Sequence, residues 1–147
     1  MRYLKRNILV AFIALLLNGI WEYVVCAYFY DNTSVSNMGK LMIEATAGDV
    51  AVTILFFNFI VMMRGDAKWV FDRYDYLNLS IYGIAAAFYF ESKALNINRW
   101  AYSSAMPLLG ESGIGVLPVF QFAILIPLTL LIEMVIMKKF NSQFVGG

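Results

Sequence analysis

Histidine is absent from this chain. Its absence removes the commonest metal ligand and the usual proton-transfer group at neutral pH. Ser–His–Asp catalysis is excluded, and acid–base work is left to carboxylates, tyrosine and lysine. Cysteine occurs once, at Cys26, so no internal disulfide can form. Charged residues make up only 14% of the 147, against about 25% in a soluble domain, while 61% are hydrophobic. The net charge of +1 gives no attraction to nucleic acid. No Gly-rich phosphate loop opens a helix, since Gly113-Ile114-Gly115 is too short. No Cys/His metal set exists and no cofactor is implied. A hard cation on the oxygens of Glu22, Asp49 and Glu91 is the one metal arrangement these residue types allow.

What the chain does have is apolar sequence of hydrocarbon length. A crossing takes about 20 mostly apolar residues, and four runs qualify: 8–29, 41–63, 77–97 and 114–137. The third is interrupted by Tyr82, Tyr89, Glu91 and Lys93. None alternates as the strands of a spanning barrel do. Arg2, Lys5 and Arg6 before the apolar run 8–17 imitate a signal peptide, but the run continues through Trp21 to Tyr30, which predicts a retained span. Short connections then predict an all-α, polytopic membrane protein. The expected form is an up-down bundle of four transmembrane helices, with 1–147 as one domain and consecutive helices as antiparallel neighbours.

Basic residues set the orientation. Arg2, Lys5, Arg6, Arg64, Lys68, Arg73, Lys138 and Lys139 fall on one side, and Lys40, Lys93 and Arg99 on the other. The asymmetry predicts a cell-membrane protein with both termini cytoplasmic. Connection 30–40 is polar and holds an N-x-[ST] triplet at Asn32, a glycosylation signal only in a eukaryotic secretory host. Connection 64–76 mixes Trp69, Phe71, Tyr74 and Tyr76 with Asp66, Asp72 and Asp75, which predicts a short helix lying in the interface.

Five carboxylates interrupt the apolar runs: Glu22, Glu44, Asp49, Glu91 and Glu133. An acid at bilayer depth is costly and calls for a functional reason. At about 1.5 Å per residue, Glu22, Asp49, Glu91 and Gln121 all fall roughly 9–12 Å below the outer ends of their helices. Each helix thus gives one strong polar group to one outer-leaflet level. Asn18 shares a face with Glu22, and Thr46, Asp49 and Thr53 form a stripe on the second helix. Gly48 is expected to permit close helix approach. Glu44 lies above this layer, and Glu133, near Lys138 and Lys139, is expected to snorkel to the cytoplasmic interface. Three ionised acids at one depth would repel, so at least one is expected to hold its proton. Arg99 is the cation placed to fold inward toward them. The bland alternative is that these groups are interhelical hydrogen-bond glue, worth about 1 kcal/mol or less per pair.

Arg99-Trp100-Ala101-Tyr102, then Met106-Pro107, Gly110, Gly113, Gly115, Pro118 and Gln121, form the densest motif. It reads as a lid in which Pro107 and the glycines break helicity. Pro118 and Pro127 would each free a carbonyl four residues earlier, at Ile114 and Ala123. An ordinary interfacial aromatic belt is the alternative for Trp100 and Tyr102. The pattern Glu91, Arg-Trp-x-Tyr, Met-Pro, Gly-x-Gly and Pro-x-x-Gln, with Gly48-Asp49, resembles that of small four-helix integral membrane proteins of bacteria and archaea. That resemblance implies a fold and no activity. There is a looser likeness to membrane enzymes of carotenoid synthesis, although the Pro-x-Glu-Glu motif of small lycopene cyclases is absent.

Three functions fit these residues. The first is an outer-leaflet acidic pocket for a small or lipidic ligand, with isoprenoids among the candidates. There Glu91, Asp49 and Glu22 are candidate acid–base groups, and Asn18, Glu44, Arg99, Trp100, Tyr102 and Gln121 candidate binding groups. The second is an H⁺ or cation carrier or channel subunit, which in so narrow a bundle would act as a homo-oligomer. The third is a structural or assembly subunit whose acids face outward to partners. Beyond the lipid bilayer and such a ligand, no partner is implied.

Overall fold

The computed structural model describes residues 2–31, 37–65 and 71–144, and among these it is all-helical. The Asn32 triplet, Asp66, Lys68 and Trp69 lie outside the described residues. Helix α1 runs Arg2–Ile20, continues as a π-helical stretch Trp21–Cys26 and ends in one α-turn, Ala27–Phe29. Helices α2 (Met38–Arg64), α3 (Arg73–Asn96) and α4 (Val116–Phe144) follow, with a short 3₁₀ turn at Gly110–Ser112 before the last. Three helical stretches are long and apolar enough to cross a membrane: Tyr3–Phe29, Met38–Arg64 and Val116–Phe140. Helix α3 has comparable length, but Arg73, Asp75, Glu91 and Lys93 together with its tyrosines leave it outside that set.

Local chemistry explains the ends. The Asn37 side chain accepts the Lys40 N–H at 2.9 Å and starts α2, and Gly65 in the left-handed conformation stops it. Helix α3 starts four residues earlier than the apolar run predicts. Asp72 accepts the N–H groups of Tyr74 and Asp75, while the Asp75 carboxylate accepts the Asp72 N–H at 2.8 Å. This reciprocal capping box corrects the expected interfacial helix over 64–76. Of its described residues, Arg64 closes α2, Asp72 caps α3, and Arg73–Tyr76 form the first turn of α3.

Contacts between helices fix an antiparallel up-down arrangement. Arg6 meets Glu133 and Glu22 meets Gln121 between α1 and α4; Asn7 meets Asn58 between α1 and α2. Tyr76 meets Met134 between α3 and α4. Helix α1 packs on α2 and α4, and α3 packs on α4, whereas α2 and α3 scarcely pack on each other. Toward the proximal end, which holds the start of α1 and the end of α4, they are joined by Arg64–Asp75 at 2.7 Å and by the stacked rings of Phe56 and Tyr82. Toward the distal end they part.

Val10, Phe57, Leu79, Ile126 and Leu130 form an apolar core in the body of the bundle. Small residues set the α3–α4 approach: a Cβ at Gly83 would lie 2.6 Å from the Phe122 carbonyl oxygen. Gly48 has no such role. A Cβ there would meet nothing within 4 Å, which corrects the expected close approach at that position. Glu133 is also corrected. It is fully buried and forms a two-pronged ion pair with buried Arg6, at 2.7 and 2.9 Å, instead of reaching the interface. The Arg6 guanidinium also lies over the Phe57 ring.

Candidate functional site

The distal half of the α2–α3 seam opens on a cavity of about 300 Å³. All four helices and the loop after α3 line it. Its polar lining comes from Glu22, Tyr30, Glu44, Asp49, Glu91, Lys93, Arg99, Trp100 and Gln121, and its apolar walls from residues such as Met42, Val52, Phe90 and Phe122.

Helix α1 delivers its share through a stripe with an interval of four. Arg6, Val10, Ala14, Asn18, Glu22, Cys26 and Tyr30 are all buried. At about 100° per residue, four residues overshoot a full turn by about 40°. The wider turn of Trp21–Cys26 takes up part of that overshoot and helps keep Glu22 and Cys26 on the inner face. Sequence reading missed this stretch. The interval of four shows in the burial of these residues and not in their types, and π-helical turns recur at functional sites.

Gln121 is the hub of the first polar group. Its amide nitrogen stands 3.0 Å from Glu22 Oε1, 2.6 Å from Asp49 Oδ2 and 3.2 Å from Asn18 Oδ1. Two N–H bonds thus serve three acceptors, drawn from α1 and α2. The Glu22 and Asp49 carboxyls also lie within hydrogen-bonding reach of each other. Asn18 spends its own amide on the Ala14 carbonyl at 2.9 Å. Thr46 and Thr53 turn their hydroxyls back to Met42 and Asp49 carbonyls of their own helix, so the expected polar stripe reduces to Asp49.

Glu91 anchors the second group. Its Oε2 accepts from the Tyr102 hydroxyl and from Trp100 Nε1, the latter at 3.3 Å. Trp100 and Tyr102 are therefore more than an interfacial belt. Both also pack on Tyr30, with ring centroids 5.8 and 5.6 Å away. Burial, then the Glu91 charge, holds the Tyr102 phenol well above its ordinary value, so it stays a donor. Gly115 leaves room for this arrangement: a Cβ there would lie 2.9 Å from Met106 Sδ and 3.1 Å from the Tyr102 ring.

The loop over Glu91 is pinned at two places. Asp31 N–H bonds to the Ala101 carbonyl and Ser103 N–H to the Phe29 carbonyl, both at 2.9 Å. Leu109 N–H bonds to the Ile114 carbonyl and Val116 N–H to the Pro107 carbonyl, both at 2.8 Å. The Ile114 carbonyl is therefore engaged, which corrects the expectation that Pro118 leaves it free.

At the mouth, exposed Arg99 pairs with exposed Glu44 at 3.0 Å, bridging the loop to α2. It does not turn inward to the acids, as expected from sequence, because Glu44 meets it first. Among the described residues, no Lys or Arg stands within ion-pair distance of Glu22, Asp49 or Glu91, and no three acidic or thiol groups are disposed to hold a metal ion. The hard-cation arrangement is thereby corrected. The structure thus brings Asn18, Glu22, Asp49 and Gln121 together, sets Glu91 with Trp100 and Tyr102, and leaves Glu44 and Arg99 at the rim. No family model, curated protein or solved structure matches the chain.

Proposed function

We propose that this chain is a cell-membrane protein that binds a small lipidic ligand in the distal cavity. In this reading α3 is the fourth span, sheltered by its packing on α4. Both termini are cytoplasmic and the cavity lies in the outer leaflet. The carrying observation is the cavity itself: apolar walls along the α2–α3 seam and convergent polar groups at its floor, the usual make-up of a small-molecule site. A volume of about 300 Å³ sits at the small end of such sites and suits one chain or a few isoprene units. The Tyr102–Glu91 pair and the Glu22–Asp49–Gln121 group give the site proton donors and acceptors, the minimum equipment for acid–base chemistry on the ligand.

The apolar core of Val10, Phe57, Leu79, Ile126 and Leu130 on the proximal side of the cavity favours a one-sided pocket over an ion path. The inward orientation of Glu22 and Glu91 favours a pocket over an outward partner surface. The test is mass spectrometry of small molecules copurifying with wild type and with Gly48→Leu. Position 48 lines the cavity and tolerates a Cβ, so the variant should keep its unfolding midpoint and lose the bound species. Identical bound species in equal amount in both proteins would overturn the reading.

A further inference from the structure

We propose that the ligand end buried in this cavity is a hydrogen-bond donor without negative charge, an ammonium or a hydroxyl, carried on a single hydrocarbon chain. The inference rests on the pocket reading above and adds the chemical class of its occupant.

The argument is a count of donors and acceptors. The side chains around the acids offer five N–H or O–H bonds: two on Gln121, one each on Trp100 and Tyr102, and the hydroxyl of Tyr30, which lines the cavity. Protein acceptors already take four of them, and only the Tyr30 hydroxyl is left to a ligand. Gln121 is divided among Glu22, Asp49 and Asn18, and both aromatic donors go to Glu91 Oε2. Acceptors are in surplus. Glu91 Oε1 has no protein partner among the described residues, and even with a proton held between Glu22 and Asp49 the six oxygens of the three carboxyl groups outnumber the donors that serve them. A phosphate or carboxylate head would bring further acceptors and negative charge to a floor with no cation in ion-pair reach of its acids. An ammonium or hydroxyl brings the missing donor. The cations near the mouth do not reverse this. Arg99 is matched by Glu44, and Lys93, which lines the cavity from α3, is exposed and stands beyond ion-pair distance of Glu22, Asp49 and Glu91.

The seam sets the rest of the ligand. Helix α2 contributes Met42 and Val52 and α3 contributes Phe90 and Ile97, so a chain leaves the acids between two apolar walls. A cavity of about 300 Å³ admits one such chain and excludes a two-chain lipid.

The test uses the full chain in detergent micelles and three probes that share one brominated dodecyl chain: an amine, an alcohol and a phosphate. Bromine quenches tryptophan at short range, and Trp100 lines the cavity. The signal is the saturable quenching of wild type that Gly48→Leu lacks. The amine and the alcohol should saturate, and the amine should bind at least about tenfold more tightly than the phosphate, a gap of about 1.4 kcal/mol. Glu91→Gln should narrow that gap to about threefold. Phosphate binding as tight as the amine would overturn the donor-head assignment and leave the pocket standing. Absence of a saturable component for all three probes would overturn both.

Discussion

A methyl group at position 83 has nowhere to go. The Cβ would press on the Phe122 carbonyl oxygen and carbon, which are backbone atoms of α4 and cannot swing aside. Gly83→Ala should therefore lower stability by about 1–3 kcal/mol, while Gly48→Ala should change it by less than about 0.5 kcal/mol, both read as unfolding in detergent. Sequence reading assigned the close approach to Gly48 because a small residue beside an intramembrane acid looks like a contact point. Spacing alone does not say which glycine faces a helix and which faces a void. Gln121 was placed at the level of the acids by depth. Its role as the one amide serving three acceptors needed the side-chain geometry, since Asn18, Glu22 and Asp49 are brought to it from two other helices.

Asp72 governs the start of α3. Its carboxylate accepts the backbone N–H of Asp75, then that of Tyr74, and these bonds hold it below the usual carboxylate range. A lowered value in the folded state means that the cap contributes in full above the ordinary aspartate pKa and is lost as pH falls through the lowered one. Amide protection at Tyr74 and Asp75, measured by hydrogen exchange and corrected for intrinsic rate, should hold at neutral pH and collapse only in acid. Protection that is flat across this range would remove the cap from the account. The helices themselves were legible as apolar runs, but their ends were not. Asp72 and Asp75 read as loop charges when each is seen alone, and become a cap only as a pair three residues apart. The π-helical stretch was hidden for a related reason. Residue types in Trp21–Cys26 do not differ from those of an α-helix, and only the persistent interval of four from Arg6 to Tyr30 betrays it.

Arg6 and Glu133 join α1 to α4 with both charges buried. Removing one leaves the other unpaired, so Arg6→Met should cost about 3–5 kcal/mol. The double variant Arg6→Met, Glu133→Leu should recover most of that loss, because a matched apolar pair replaces the ion pair without a stranded charge. Denaturation of the single and double variants in one detergent checks this, and a double variant as unstable as the single one would refute it. The pair lay beyond sequence reading because its members are separated by almost the whole chain. Glu133 had nearer lysines at 138 and 139 to suggest a different fate, yet both lysines are exposed. By contrast, the gathering of Glu22, Asp49 and Gln121 was legible, since equal depth on antiparallel helices requires only the rise per residue.

The loop after α3 is stitched at Phe29–Asp31 and again at Pro107–Val116, while α2 and α3 stand apart beside it. In the proposed membrane setting, a compound that reaches Glu91 between those two helices would come from the hydrocarbon phase. Occupancy would then follow the mole fraction of that compound dissolved in the leaflet. Diluting the bilayer with inert lipid would empty the site even at constant total dose, and the solubility of the compound in buffer would matter little.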